Sequence, residues 1–241
     1  LMVAIAFLSS IYLSAELATK YGIKRDVIFD LGFIVIIWAI IGARILFVLL
    51  WFKDYIKDPI AILKVWEGGL VFYGGFIASF IAVIFWVRSK NLDFFILADI
   101  VAPFIALGHS IARIGCFFAG CCYGKASNCY NILCGVIFPS LGDNITRYPV
   151  QLYESFANFL NFLILIIFFK KFKTKNGDVI FLYFLNYGII RLVMEFFRGD
   201  PERGNILFLS TSTFISIFLI TAGILWFIYF RNKKIWKEQR Q

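Results

Sequence analysis

The chain has 241 residues, of which 61% are hydrophobic, 20% are aromatic and only 16% are charged. Soluble domains carry about 25% charged residues, so this composition excludes an ordinary soluble protein, and the long apolar runs, which lack the alternation of β-barrel strands, indicate a membrane protein built of α-helices. The net charge of +9 does not indicate nucleic-acid binding, because the basic residues cluster at the ends of the hydrophobic segments.

Seven hydrophobic segments approach the roughly 20 residues that are needed to span a bilayer. In chain order they cover residues 1–19, 28–52, 69–88, 93–118, 150–170, 178–198 and 206–230. The sequence therefore predicts an all-α polytopic membrane protein with about seven transmembrane helices in a single domain, residues 1–241. The first segment begins without an initiator methionine, which we expect of a chain trimmed at its N-terminus.

Basic clusters follow the first, third, fifth and seventh segments. They are Lys20, Lys24 and Arg25; Arg88 and Lys90; Lys170, Lys171, Lys173 and Lys175; and Arg231, Lys233, Lys234, Lys237 and Arg240. Positive charge accumulates on the cytoplasmic side of membrane proteins, so we expect the N-terminus outside and the C-terminus in the cytoplasm. The loop near residues 119–149 then faces outward.

Residues 108–125, GHSIARIGCFFAGCCYGK, contain the only histidine and three of the five cysteines. His109 and Arg113 are four residues apart, so they share one helix face. A charge at membrane depth costs at least about 2.5–3.5 kcal/mol on insertion scales, which makes Arg113 a functional candidate. Its candidate anions are Asp99, Glu154 and a lipid phosphate.

The sixth segment carries a second polar stripe. Tyr187, Arg191 and Glu195 follow one another at intervals of four residues, and Arg198 continues near that stripe. Arginines on two helices can hold a phosphate, because guanidinium offers a planar fork of donors. In the structural alternative, Arg191 and Glu195 only neutralise each other between helices.

The five cysteines are confined to one short interval and allow several interpretations. They are Cys116, Cys121, Cys122, Cys129 and Cys134. Their spacing fits no common zinc pattern, so no metal is expected. Outside the cytoplasm disulfides are expected, with Cys129–Cys134 a plausible local pair. A reactive thiol is the other alternative, since nearby Arg113 can lower a thiol pKa.

Taken together, these motifs resemble the phosphatidylglycerol–prolipoprotein diacylglyceryl transferase family. The resemblance runs through IGARILFVL, DPIAILKVWEGGLVFYGG, LADIVAPFIALGHSIARIGCFFAG, RYPVQLYES and NYGIIRLVMEFFRGD, and it covers nearly the whole chain. Arg113 matches the arginine of the family's G-R-x-G-N signature. The family's functional tyrosine, arginine and glutamate correspond to Tyr187, Arg191 and Glu195.

Other family motifs are present in this chain with substitutions. Gly74 and Gly75 match the glycines after the essential histidine, whose own position is occupied by Tyr73. The family's H-P-x-Q-L-Y-E motif is represented by Tyr148, Gln151, Tyr153 and Glu154, with tyrosine in place of its histidine. Cys116, Ala119 and Cys121 replace two asparagines and an acidic residue. The chain therefore resembles a divergent, cysteine-bearing branch.

The resemblance implies transfer of a diacylglyceryl group from phosphatidylglycerol, a lipid cosubstrate, to the cysteine of a prolipoprotein signal peptide. The implied location is the bacterial cytoplasmic (inner) membrane, with no metal, dissociable cofactor or nucleic acid. We expect Arg113, Arg191 and Arg198, with Gly74 and Gly75, to bind the lipid phosphate. His109 is the candidate base, Tyr73 and Tyr187 are its candidate hydrogen-bond partners, and Glu195 orients Arg191.

Loss of the family histidine and asparagine supports an alternative of another class. In it the chain no longer transfers lipid, but binds lipids or partners, or exchanges thiols and disulfides through Cys116, Cys121 and Cys122. A transporter is a weaker third possibility, because the paired broken segments of an inverted repeat are not evident.

Overall fold

The computed structural model describes residues 1–56, 58–198, 205–206 and 209–230. The basic cluster at residues 231–240, on which the cytoplasmic C-terminus was predicted, lies outside the described residues. The α-helices of the described part are α1 (Met2–Thr19), α2 (Arg25–Leu50), α3 (Phe52–Tyr55), α4 (Phe72–Ser89), α5 (Phe94–Phe118), α6 (Val150–Lys171), α7 (Asp178–Glu195) and α8 (Thr211–Leu225).

The remaining regular structure is short. Two antiparallel strand pairs are formed by β1 (Val136–Ile137) with β2 (Thr146–Arg147), and by β3 (Asn205–Ile206) with β4 (Leu209–Ser210). Short 3₁₀-helices cover Pro59–Leu63, Val65–Glu67 and Pro139–Leu141, and a π-helical segment, Trp226–Phe230, extends α8. The prediction of an all-α polytopic membrane protein is confirmed.

Among the described residues, six helices are long and apolar enough to cross a membrane: α1, α2, α4, α5, α6 and α8 with its π-helical extension. Helix α7 also has 18 residues, but it contains three charged residues, Asp178, Arg191 and Glu195. Its composition therefore does not identify it as a membrane span. Seven spans and their orientation therefore stay predictions, as do the single domain and the outward loop at 119–149.

Several predicted boundaries are wrong for local reasons. The segment predicted at 69–88 becomes helical only at Phe72, because Gly68 and Gly69 have φ of +92° and +73°, which no right-handed helix accommodates. The segment predicted at 206–230 begins instead with the β3–β4 hairpin. Its helix starts after Ser210, whose side chain accepts a hydrogen bond from the Thr213 amide as an N-cap.

The chain divides into two compact units, of which the second comprises Ala15–Leu97. In this unit α2 packs against α4 at very close range. A methyl group added at Gly75 would lie 2.6 Å from the carbonyl oxygen of Ala39, and one at Gly74 would overlap Gly42. Both glycines are buried and hold the two helices together.

Arg44 lies buried on α2 in the same unit. Its guanidinium donates to four backbone carbonyls, those of Ala61 (2.6 Å), Ile62 (2.9 Å), Gly68 (2.7 Å) and Gly69 (3.1 Å). The charge therefore serves to anchor the irregular segment between α3 and α4.

The first unit comprises Leu1–Ser14 and Ala98–Gln241. A fully buried carboxylate, Asp99, accepts hydrogen bonds from the amides of Gly177 (2.8 Å), Val179 (3.0 Å) and Ile180 (2.9 Å). Lys173 Nζ also forms an ion pair with the Asp99 carboxylate, at 3.0 Å. A carboxylate at a helix N-terminus satisfies free amides and opposes the helix dipole, so Asp99 is the anchor of α7 and not the partner of Arg113.

Candidate active site

Helix α6 places a polar face inside the first unit. Its buried side chains recur every three or four residues, as one helix face requires: Gln151, Glu154, Ser155, Asn158 and Asn161. Ser155 donates to the Ser110 carbonyl of α5 at 2.9 Å, and Asn161 accepts from Asn186 of α7 at 2.9 Å. Polar contacts of this kind join helices in membranes.

Glu154, only 3% exposed, is the centre of this face. Three arginines from different parts of the chain converge on its carboxylate. Arg113 of α5 forms an ion pair through its Nε with Oε2. Arg191 of α7 and Arg198, just beyond α7, place their Nη1 atoms 2.9 Å and 3.3 Å from Oε1. The two stripes predicted separately from sequence are thus brought together by a buried carboxylate between them.

His109 lies one helical turn before Arg113 and contacts it directly. The Arg113 Nε donates a hydrogen bond of 3.1 Å to His109 Nε2. The tautomer compatible with this bond carries its proton on Nδ1. The Tyr187 ring lies 5.4 Å from the imidazole, centroid to centroid. The lone pair that a general base would use at Nε2 is therefore engaged by an arginine.

Glu195 contacts Arg191 more weakly than Glu154 does, because the Arg191 Nη2–Glu195 Oε2 distance is 3.6 Å. Its closer partners are hydroxyl groups at the start of α8. Ser210 Oγ donates to Oε1 at 2.7 Å, and Ser212 Oγ donates to Oε2 at 2.9 Å. Glu195 thus links α7 to α8 as well as to the arginine cluster.

The described side chains of this cluster include more positive than negative charges. Three guanidinium groups face two carboxylates, Glu154 and Glu195, so the described side chains of the cluster carry a net charge of +1. The side chains of Arg113 and Arg191 remain 17% and 13% exposed. Partly buried arginines on different helices favour an anion with several oxygen acceptors, such as a phosphate.

The loop at 119–149 is tied to this cluster by its backbone. The amide of Lys125 donates to the Phe197 carbonyl at 2.8 Å, and Gly124 pairs with Arg198 in an isolated antiparallel bridge. The Gln151 side chain donates to the Cys121 carbonyl at 2.7 Å. These bonds hold the cysteine-bearing turn next to the arginines.

The five cysteines separate into two groups. Cys129 and Cys134 form a disulfide, which is the local pair considered from their spacing. The other three, Cys116, Cys121 and Cys122, are free thiols. Burial and the neighbouring thiols raise the pKa of Cys121 to about 11, which is opposite to the lowering that a reactive thiolate requires.

The remaining predicted residues belong to the second unit. Tyr73 is the second residue of α4 and is 47% exposed. Gly74 and Gly75 have the packing role described above, and their role in phosphate binding stays a prediction.

Glu154, Ser210 and Ser212 are the residues of this site that the sequence did not place in it. Glu154 was a candidate partner for Arg113 and matched a family motif, but it was not placed in the site. The sequence does indicate that Glu154 is a functional candidate, since it is an acidic residue inside the apolar segment at 150–170. Ser210 and Ser212 carried no such signal, because serines are common near helix starts.

The chain is similar in sequence to members of one protein family over nearly its whole length. The model of the prolipoprotein diacylglyceryl transferase family matches residues 1–229. A phosphatidylglycerol–prolipoprotein diacylglyceryl transferase of Clostridium tetani is 39% identical over 97% of this chain and 92% of its own length. A second, from Clostridium perfringens, is 35% identical over 96% of this chain and 89% of its length. One from Acinetobacter baumannii is 32% identical over 100% of this chain and 91% of its length.

Proposed function

Because the chain belongs to the prolipoprotein diacylglyceryl transferase family, we propose that it transfers a diacylglyceryl group from phosphatidylglycerol to the cysteine thiol of a prolipoprotein signal peptide. The family resemblance drawn from the motifs is confirmed by the matches. The names of the relatives supply the two substrates.

The convergence of three arginines on Glu154 is the observation that carries this proposal. The lipid phosphate accepts hydrogen bonds from Arg113 and Arg191, with Arg198 behind them. Glu154 keeps the guanidinium groups together before the lipid arrives, so that little reorganisation is needed when charge develops on the leaving phosphate.

The reaction is a displacement at carbon. The acceptor thiol gives its proton to water, and the thiolate sulfur attacks the glycerol carbon that carries the phosphate ester. The bond from that carbon to the ester oxygen breaks, and glycerol phosphate leaves with the electron pair. Arginines aimed at the departing oxygens lower the barrier because their interaction with the phosphate strengthens in the transition state.

We assign His109 to positioning Arg113, because its Nε2 accepts the Arg113 hydrogen bond. The base role expected from the sequence stays a prediction and requires Arg113 to turn away onto the phosphate first. Tyr187 packs against the imidazole and Glu195 holds Arg191 from its other side. Tyr73, Gly74 and Gly75 retain their predicted roles as a hydrogen-bond partner and as glycines near the lipid.

The chain is a multi-pass membrane protein, and we propose the bacterial inner membrane as its location. The N-terminus and the loop at 119–149 face outward in this proposal, where the acceptor peptide arrives. This orientation is supported by the distribution of the basic clusters along the sequence.

The test uses the purified full chain in phosphatidylglycerol vesicles with a synthetic signal peptide that contains one acceptor cysteine. With lipid labelled in its acyl chains, mass spectrometry should detect a diacylglyceryl thioether on that cysteine. Arg113→Ala should abolish the product, whereas Arg25→Ala, at an arginine that pairs with Glu16 and is 55% exposed, should not. Undiminished transfer by Arg113→Ala would contradict the proposal.

A further inference from the structure

The end of α5 folds two cysteines onto each other. After Phe118 the chain reverses through Gly120, which has φ of +66°. The Gly120 amide donates to the Phe117 carbonyl, and the Cys121 amide donates to the Cys116 carbonyl, both at 3.1 Å. These are the paired bonds of a Schellman motif, in which the residue after the turn contacts the last helical turn. The motif therefore places Cys121 over Cys116.

A third cysteine joins them through an unusual backbone conformation. Cys122 has φ of +62°, a left-handed value that a residue with a side chain rarely adopts. Such strain persists where surrounding contacts determine it, and it is frequent at functional sites. The hydrogen bond from Gln151 to the Cys121 carbonyl is one of those contacts.

The three sulfur atoms are close enough to share one metal ion. All lie within 4.8 Å of one another. A tetrahedral zinc ion with Zn–S bonds of about 2.3 Å separates its sulfur ligands by about 3.8 Å, so rotamer changes of about 1 Å would complete the site. Cys121 is exposed while Cys116 and Cys122 are half-buried. The cluster can thus present one coordination position to an incoming ligand.

The electrostatic setting favours this ion. Three thiolates around Zn²⁺ carry a net charge of −1, and Arg113 interacts electrostatically with both Cys116 and Cys122. Thiolates prefer soft or borderline metals, and coordination deprotonates a thiol outright. The sequence spacing of these three cysteines is not one of the common zinc-binding spacings, because the site is formed by the end of a helix and a turn with a left-handed residue.

We propose that Cys116, Cys121 and Cys122 bind Zn²⁺ through three thiolates and leave the fourth coordination position to the thiol of the acceptor cysteine. The second half rests on the proposed transferase function. This proposal replaces the sequence-based expectation that no metal is required. Coordination to zinc also generates the thiolate in this chain, in which Tyr73 occupies the position of the family's essential histidine.

The step balances without a redox partner. The acceptor thiol binds zinc and releases its proton to water at the exposed side of the cluster. The zinc-bound sulfur then attacks the glycerol carbon, glycerol phosphate departs with the electron pair of the broken carbon–oxygen bond, and the thioether leaves the metal as a weaker ligand. The oxidation state of zinc and sulfur is unchanged.

Metal binding is tested first, without either substrate. The full-length protein is purified under reducing conditions, stripped of metal and titrated with Co²⁺. One equivalent should produce thiolate-to-cobalt charge-transfer absorption, and Zn²⁺ should displace it. Cys122→Ser should lose this absorption, while the matched variant Cys129→Ser/Cys134→Ser should retain it. No absorption in the parent protein, or disulfides among the three thiols under these conditions, would overturn the site.

The role of the fourth position is tested by transfer. Metal removal should lower kcat about tenfold or more, and Zn²⁺ should restore it in the parent but not in Cys122→Ser. Equal rates with and without bound zinc would overturn the role in thiol activation while leaving the binding site. If the parent protein binds Co²⁺ and Cys122→Ser does not, but no form transfers lipid with or without metal, the transferase proposal fails while the metal site stands, so the two failures are distinguishable.

Discussion

Replacing Glu154 with Gln tests whether this carboxylate holds the arginine cluster together. The substitution keeps the shape of the side chain but removes the only charge that contacts Arg113, Arg191 and Arg198 together among the described residues. The net charge of the described side chains in the cluster rises from +1 to +2. The three guanidinium groups then repel one another in a site that water enters poorly.

The magnitude follows from the burial of Glu154, which is 3% exposed. Removing one partner of a buried ion pair costs about 3–5 kcal/mol, because it leaves buried charge without compensation. For a protein of this size each kcal/mol lowers Tm by about 2–4 °C. The expected decrease is therefore about 6–20 °C.

The assay is thermal unfolding in detergent micelles, followed by tryptophan fluorescence, beside the transfer reaction on the same preparation. Glu67→Gln is the matched control, since the Glu67 side chain is 58% exposed and, among the described residues, forms an ion pair only with Lys64, at 3.8 Å. Exposed pairs contribute about 0–1 kcal/mol, so its Tm should fall by no more than about 4 °C. A Glu154→Gln protein that melts within about 2 °C of the parent and transfers lipid at the parental rate would refute the reasoning.

Three further predictions concern single contacts. His109→Gln preserves a hydrogen-bond acceptor for Arg113 and should therefore retain transfer. His109→Ala removes this acceptor, and its kcat should fall about 10²-fold. Loss of all transfer in His109→Gln would instead identify His109 as the base. Tyr73→Phe, which removes only a hydroxyl, should have a milder effect on kcat than His109→Ala, and the reverse order would place the decisive proton transfer at Tyr73. Hydrogen bonds from Arg147, 2.6 Å to each carboxylate oxygen, lower the pKa of Asp143, so the contact is present at neutral pH and is lost as pH falls through the lowered pKa. In NMR the Asp143 carboxyl carbon should titrate at lower pH in the parent than in Arg147→Gln, and identical titration in the two proteins would contradict this.

The sequence predicted much of the helical framework because apolar runs bounded by polar residues mark membrane helices. The segment predicted at 93–118 is helical over Phe94–Phe118, and that at 150–170 is helical over Val150–Lys171. Boundaries were wrong where backbone conformation, not hydropathy, decides them, as at Gly68 and Gly69.

The candidate site was predictable in its parts but not in its connections. His109 and Arg113 were paired correctly because helical spacing is local, and the structure joins them by a hydrogen bond. The contacts of Glu154 with Arg191 and Arg198 join residues 37 and 44 positions apart, which periodicity cannot reveal. The thiol cluster depends on a turn of positive φ, which its cysteine spacing alone did not predict.

The central claim is that Arg113 and Arg191 bind the phosphate of the donor lipid. Solid-state NMR on arginine-labelled protein in phosphatidylglycerol vesicles measures it directly, through nitrogen–phosphorus dipolar coupling. Comparison with Arg113→Lys and Arg191→Lys assigns the signals. If both residues bind the phosphate, their guanidinium nitrogens lie about 4 Å from phosphorus. Coupling confined to the exposed arginines, with none at these two, would contradict it.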